Sequence, residues 1–458
     1  MTAARTIAAF AANIRFDDLP AEVCAAAKLH LLDTLGCGVA ASAAGVGGEA
    51  RAVMSEGAMG GGSASVIGGT SLPAAAAALA NGTLCHALDF DDTHAGAITH
   101  VSTVVCPAAL AVAEEGGVSG SELAASLVAG SEVTIRIGQA ARAGYMVTGF
   151  HPTSVCGVFG AAAAAGRVLN LGVEGITNAL GIAGSMASGI FEYLADGSAT
   201  KPLHAGWAAH CGVLAAQLAA HGATGPATVF EGRFGVFHAY HRTGGEELNE
   251  RLADLGTLWE TPRISFKPYP ACHFIHSPLD AIGMALAGRE IVPDDIERIV
   301  VELPVAGIPL VCEPIAAKVA PRTAYDAKFS VQYALAARLL HGDVSVETFT
   351  AQAIEEPKVL ELARRVICRA GDFASYPGAL PGRVAIHLRD GTTLEGEVLY
   401  ERGSAANPMS DGQILEKFQR NTEQSLGSRA SAALADSILG LEEIHSMTRA
   451  LRLGLATL

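Results

Sequence analysis

Between Asn81 and His100 the sequence reads NGTLCHALDFDDTHAGAITH, setting Asp89, Asp91, Asp92, Thr93, His94 and His100 close together in a chain otherwise rich in Ala, Gly, Leu and Val. Carboxylates, a hydroxyl and imidazoles at this density suit three kinds of chemistry. Asp and Thr are common helix caps, so the stretch could end an Ala-rich helix, with His86 and His94 at the surface. Three acids in a DxDD pattern could hold a divalent metal, since hard cations take several carboxylate oxygens, although no second acidic cluster occurs to complete the site. Or the stretch is one wall of a pocket, where Asp89 and Thr93 hydrogen-bond a substrate and His100 transfers protons. A helical conformation would put Asp89 and Asp92 on one face, with Thr93 one turn on from Asp89.

Three later segments offer partners. In GFHPTSVCG, His151 directly precedes Pro152 and a helix start. It is either part of a plain capping turn or stands beside free N–H groups at the positive end of the dipole, where a carboxylate would bind. In DGSATKPLHAG, Lys201 is the only Lys or Arg between Arg167 and Arg233. The sequence favours an exposed loop lysine over a charge held in a pocket, with His204 as a partner, a cap or a surface residue. FKPYPACHFIH gathers Lys267, Tyr269, Cys272, His273 and His276 ahead of another helix start, Ser277-Pro278; the alternative is a loop with solvent-facing histidines. Tyr333 lies inside AKFSVQYALAARLL and reads, on spacing alone, as a core aromatic.

The elements that must position these groups fall into two textures. From Ile7 to about Glu260, Ala-rich segments of ordinary helix length are punctuated by Gly, Pro and Asn, with starts at Asp17–Pro20, Pro73, Pro107 and Ser121. From Thr261 to about Arg402, strand signals enter: Glu297–Leu303 alternates, and Val384–Leu388 and Thr393–Tyr400 flank Asp390-Gly391 as a hairpin. Met409–Leu458 returns to helix. The reading is a mainly α fold with an α+β part: an all-helical domain over 1–260, a smaller α+β lid over 261–402, and helices of 403–458 returning to the first domain. With half of its residues hydrophobic and only 5% aromatic, the chain suits helices packed through Ala and Gly.

A net charge of −15 argues against nucleic acid as a partner. Nine scattered cysteines form no CxxC pair and read as reduced thiols. The N-terminal residues are too mixed for a signal peptide, and runs such as Val101–Ala113 fall short of a bilayer span. The expectation is therefore a cytoplasmic protein with no membrane partner. Gly57–Gly69 lacks the Lys-Ser/Thr of a phosphate loop.

In order along the chain, HALDFDDTH with His100, GFHPTSVCGVFGAAAAA, GSATKPLHAG, FKPYPAC with its following histidines, and AKFSVQYALA resemble the successive motifs of the MmgE/PrpD family. The resemblance covers essentially the whole chain. It implies a homodimeric enzyme without cofactor or metal, acting on a small di- or tricarboxylate. It also implies a pocket lined by Asp89, Thr93, His100, His151, Lys201, Lys267 and Tyr333, to which Cys272 and His276 are added as substrate-binding candidates. Two departures stand out. Cys272 occupies the place of a histidine in the decarboxylases and of an acid in the dehydratases, and the Thr93–His100 spacing is one residue longer than in the decarboxylases.

The reactions implied share a carbanion beside a carboxylate, stored as an enediolate. Such a site needs a base of pKa near 7 and fixed positive charge. His100 and His151 are the candidates for proton transfer, Lys201 and Lys267 for oxyanion stabilisation, and Asp89 for orienting a histidine or Lys201. With Cys272 at the decarboxylase-type position, the expected order is dehydration of a 2-methylcitrate-like hydroxy acid, epimerisation of an iminodisuccinate-like dicarboxylate, cis-aconitate-type decarboxylation, and lastly carboxylate binding without catalysis.

Overall fold

The computed structural model describes residues 1–57, 61–243, 245–448 and 450–451; residues 58–60 of the Gly-rich stretch lie outside them. Helices Ala21–Ala43, Ala74–His86, Ser102–Gly116, Gly120–Ala141, Pro152–Val168 and Lys201–Ala220 build the first body. Most are buried on nearly every side, which accounts for their lack of a polar face. Their small residues allow close approach: a Cβ on Gly206 would lie 2.4 Å from the Leu79 carbonyl oxygen, and one on Gly82 would lie 2.8 Å from the Gly206 Cα. The Lys201–Ala220 and Ala74–His86 helices therefore cross almost backbone to backbone. Ala21–Ala43 is long and apolar enough to cross a membrane by length and composition, and is mostly buried in this bundle.

A second apolar cluster lies between Tyr269 and Leu394. It is built on strands β1 (Ile296–Leu303), β2 (Val366–Ala370), β3 (Gly382–Leu388) and β4 (Thr393–Val398), in the order β2-β1-β3-β4. The β1–β2 pair is parallel, with Ile299 opposite Val366, and the other two pairs are antiparallel. Ile299, Val301, Val384 and Ile386 are fully buried beneath helix His276–Leu286, with Val331–His341 beside it. The first cluster runs from Ala3 to Phe266 and resumes from Met409 to Leu451, because helix Asp411–Leu426 lies on Ala21–Ala43.

Several local expectations shift. Pro107 sits inside the Ser102–Gly116 helix rather than at its start, and Ser119, not Ser121, caps Gly120–Ala141 by accepting from the Glu122 N–H. The Ala327–Leu340 segment divides into a short turn, Ala324–Ala327, and Val331–His341, which Ser330 caps. The acidic stretch is not helical beyond His86, so Asp89 and Asp92 do not share a helix face.

Candidate active site

After the Ala74–His86 helix ends, the chain turns through Asp89, whose φ of +52° is a left-handed conformation. Thr93 then pairs with the segment joining the two bodies: its N–H donates to the Ser265 carbonyl at 2.9 Å, and the Ser265 N–H donates back at 2.8 Å. This bridge sets Lys267 beside the acidic turn. The Asp89 Oδ1 accepts from Lys201 Nζ and Lys267 Nζ, each at 2.9 Å, and Lys267 also donates to the Asp89 carbonyl at 2.9 Å. Lys201 opens its helix and is 5% exposed, so it is a buried charge and not the loop lysine that the sequence favours. Its Nζ also lies 5.2 Å from the Phe329 ring centre of the lid.

Asp91 faces the other way. Its Oδ2 is 2.7 Å from His86 Nδ1 and 3.1 Å from His100 Nδ1, while Thr93 Oγ1 is 3.4 Å from the latter nitrogen. Holding Nδ1 leaves the His100 Nε2 as the outward nitrogen. Asp92 turns away from both, toward the Ser102 N–H at 3.2 Å and His30 at 2.8 Å. The DxDD acids thus serve three separate sets of partners. Ligating atoms of His86, His100 and His151, and of Asp89, Asp91 and His100, do lie within 4.8 Å of one another. A cation at the second group would compete with the two lysines already on Asp89.

Burial opposes ionisation of Asp89, but Lys201 and Lys267 outweigh it and hold the carboxyl well below the usual range. His86 and His100 do the same for Asp91. Burial pushes the His100 imidazolium down to about 4, against the pull of Asp91 and with Lys201 adding to the shift. His151, which caps helix Pro152–Val168, is depressed well below its ordinary value by burial and by Lys201. Its Nδ1 lies 3.1 Å from the Nδ1 of His204. The resting cluster therefore combines carboxylates, ammonium groups and neutral imidazoles.

On the segment that enters the α+β body, Cys272 is partly exposed, and burial of its thiol together with Asp89 raises its pKa. His273 beside it is buried with both ring nitrogens unpartnered, and burial, with Lys267, pushes it down to about 3. His276 is fully enclosed: its ring centre is 4.8 Å from that of His273, and its Nε2 is 3.0 Å from the Ala271 carbonyl oxygen. It supports His273 instead of opening toward a substrate. Tyr333 also departs from the pocket that the resemblance implies, because its hydroxyl donates to the Thr348 carbonyl at 2.8 Å within the core of the α+β body.

The tyrosines near the cluster are Tyr325 and Tyr193, grouped with Phe329, Phe191 and Cys272. Among the described residues the Tyr325 hydroxyl has no partner, and burial followed by the Asp89 charge raises both phenols well above their ordinary range. Tyr325 stands only eight residues before Tyr333, and its signal in sequence is the Thr323 cap that turns the chain there. Lys328 adds a third buried lysine, donating to the Pro270 carbonyl at 3.1 Å. Burial pushes it down to about 7, with Asp89 opposing and Lys267 adding to the shift. A cavity of about 750 Å³ lies behind the acidic turn, against Phe90, Pro268 and Lys417, and holds none of the reactive groups.

Comparison with known proteins agrees with this architecture. Residues 5–248 match the MmgE/PrpD N-terminal domain and 269–443 the MmgE/PrpD C-terminal domain. Among curated relatives, the cis-aconitate decarboxylase of Homo sapiens is 32% identical over 82% of this chain and 78% of its own length. The cis-aconitate decarboxylase of Aspergillus terreus is 30% identical over 97% and 94%, and a cis-aconitate decarboxylase-like protein of Aspergillus oryzae is 29% identical over 96% and 95%. With both domain models in their order and relatives matched along nearly the full chain, the protein belongs to the MmgE/PrpD family.

Proposed function

We propose that the protein is a carboxylate lyase that needs no cofactor and decarboxylates a cis-aconitate-like unsaturated tricarboxylate through an enediolate. The observation that carries this reading is the pair of buried lysines sharing Asp89 beside His100. Each ammonium has three donors; Lys201 spends one on Asp89 and Lys267 two. Their remaining N–H groups supply positive charge for substrate carboxylates where water is excluded, which is where electrostatic stabilisation counts most.

The reaction needs little else. As carbon dioxide leaves a CH₂–COO⁻ arm, the electrons of the broken C–C bond form a new double bond to the adjacent carbon. The existing double bond shifts its pair to the next carbon, beside another carboxylate, and the resulting enediolate takes a proton there. The His151 Nε2–H, in the tautomer whose Nδ1 accepts from His204, is the group for that proton, while His100, whose Nδ1–H is held by Asp91, presents a lone pair at Nε2 and serves as a base. Dehydration demands more: an acid must protonate a departing hydroxyl, and Asp89 and Asp91 are both held as anions. His273, next to Cys272, also supplies an imidazole at the lid position where the resemblance to decarboxylases had a gap. A dehydratase reading draws on the unpartnered Tyr325 hydroxyl as the acid.

Proton NMR in D₂O with cis-aconitate and 2-methylcitrate separates the two. Loss of carbon dioxide from cis-aconitate with one deuteron incorporated is the expected result. An alkene formed from the hydroxy acid, with cis-aconitate untouched, would replace decarboxylation by dehydration.

A further inference from the structure

His151 and His204 come from different helices and meet through their Nδ1 atoms. His151 caps Pro152–Val168, while His204 lies in the first turn of Lys201–Ala220. The junction is built closely. The Ser154 Oγ donates to the His204 carbonyl at 3.1 Å, and the His151 N–H donates to the Gly189 carbonyl at 3.0 Å. Gly189 has φ +98°, and a Cβ there would lie 2.9 Å from the Ser154 Cβ and 3.2 Å from the His204 Cγ. Phe191 and Tyr193 close the other side, with ring centres 5.3 Å from His151 and 5.9 Å from His204.

An Nδ1-to-Nδ1 hydrogen bond between neutral imidazoles has one proton and two equivalent acceptors. When His151 holds it, the His151 Nε2 carries a lone pair and is a base; when His204 holds it, the His151 Nε2 carries hydrogen and is an acid. Resting on the lyase reading above, we propose that His204 is a positioning residue that sets the tautomer of His151 and relays its proton. A proton accepted at His151 Nε2 is balanced by passage of the Nδ1 proton to His204 and release of the proton on His204 Nε2 to water; delivery runs in reverse, with water supplying the proton to His204 Nε2. The titratable and charged groups facing the pair are His86, His100, Lys201 and Tyr193. The fixed positive charge of Lys201 and the hydrophobic cover disfavour leaving an extra proton on the pair, so the net charge stays constant while the proton moves through.

The test compares His204→Asn with His204→Phe in the full-length protein. The Asn amide reaches the place of Nδ1 and keeps a hydrogen bond to His151, but cannot pass a proton on; Phe preserves volume alone. Both variants should lose at least about tenfold in kcat with little change in KM, and should alter the pH profile, as expected for lost proton transfer. Wild-type kcat and pH profile in the Asn variant would reduce His204 to a packing role and overturn the relay. ¹⁵N-histidine NMR of the substrate-free enzyme decides independently. A proton bonded at Nδ1 of one ring and hydrogen-bonded to Nδ1 of the other is expected; two Nε2–H tautomers would refute the proposal. That spectrum needs no turnover, so an enzyme inert toward cis-aconitate would undo the lyase reading without deciding this one.

Discussion

Asp89 holds two buried lysines together, and much follows from that one carboxylate. Asp89→Asn leaves two buried ammonium groups without their counter-ion, a change that typically costs about 3–5 kcal/mol. A fall in thermal midpoint by several degrees together with near-complete loss of turnover is expected by calorimetry and assay; a stable, active Asn variant would remove Asp89 from the centre of the site. The imidazoles make a separate forecast. His100 and His204 titrate near 4 when folded, against an ordinary 6.5. The unfolded chain therefore binds more protons between those values, so stability is full above pH 6.5 and declines as pH falls toward 4. The thermal midpoint should drop between pH 7 and pH 5, and His100→Gln should flatten that slope; an unchanged slope would mean that His100 is not buried as a neutral ring. Of these residues, the lysines, His100, His151 and Asp89 are named through the resemblance to the MmgE/PrpD motifs, while spacing alone leaves Lys201 as a loop residue and His151 open. The sequence could not show that Lys201 is buried, that Asp91 serves His100, or that Tyr325 and not Tyr333 comes near the cluster. Those facts depend on which helices meet, and no single stretch contains that information.

At the scale of elements, the cluster depends on how closely the Ala74–His86 and Lys201–Ala220 helices approach, because one ends near Asp89 and the other begins at Lys201. A methyl group on Gly206 has nowhere to go: besides the Leu79 carbonyl, it would lie 2.2 Å from Thr83 Oγ1. Overpacking of this kind costs about 1–3 kcal/mol and moves backbone. Gly206→Ala should therefore lower both the thermal midpoint and kcat/KM, whereas Gly283→Ala, where a Cβ has open space inside helix His276–Leu286, should leave kcat/KM unchanged and hold or raise the midpoint, since Ala is the better helix former. Equal behaviour of the two would show that the crossing is looser than described. Element identity was mostly readable, since caps and Ala-rich spacing mark the long helices and alternation marks the β3–β4 hairpin, while β1, buried at three successive positions, was marked by its β-branched run. The strand Val366–Ala370 escaped because it is an edge strand with only Val366 buried, so it has no alternation to detect. The Asp89 turn escaped because a left-handed aspartate has no reliable local signature, and its conformation is set by the lysines that grip it.

Across the whole molecule, the last helices do more than cover the bundle. Lys417, on Asp411–Leu426, donates to the Phe90 carbonyl at 2.8 Å, pairs with Asp33 at 2.7 Å and lies 3.9 Å from the Phe90 ring centre. Phe90 adjoins Asp89, whose own carbonyl is held by Lys267. Two lysines, one from the segment joining the bodies and one from the returning C-terminal helices, thus grip consecutive carbonyls of the left-handed turn. The site is consequently not complete until residues more than three hundred positions apart have come together. Stability and positioning separate in a double-mutant comparison. Lys417→Met strands the buried Asp33 carboxylate and should cost about 3–5 kcal/mol. Adding Asp33→Asn removes that stranded charge and should restore most of the thermal midpoint, yet the Phe90 carbonyl still lacks its donor. If the double variant recovers its midpoint while kcat/KM stays depressed, Lys417 acts on the turn itself. Recovery of both would show that it contributes only through the ion pair with Asp33.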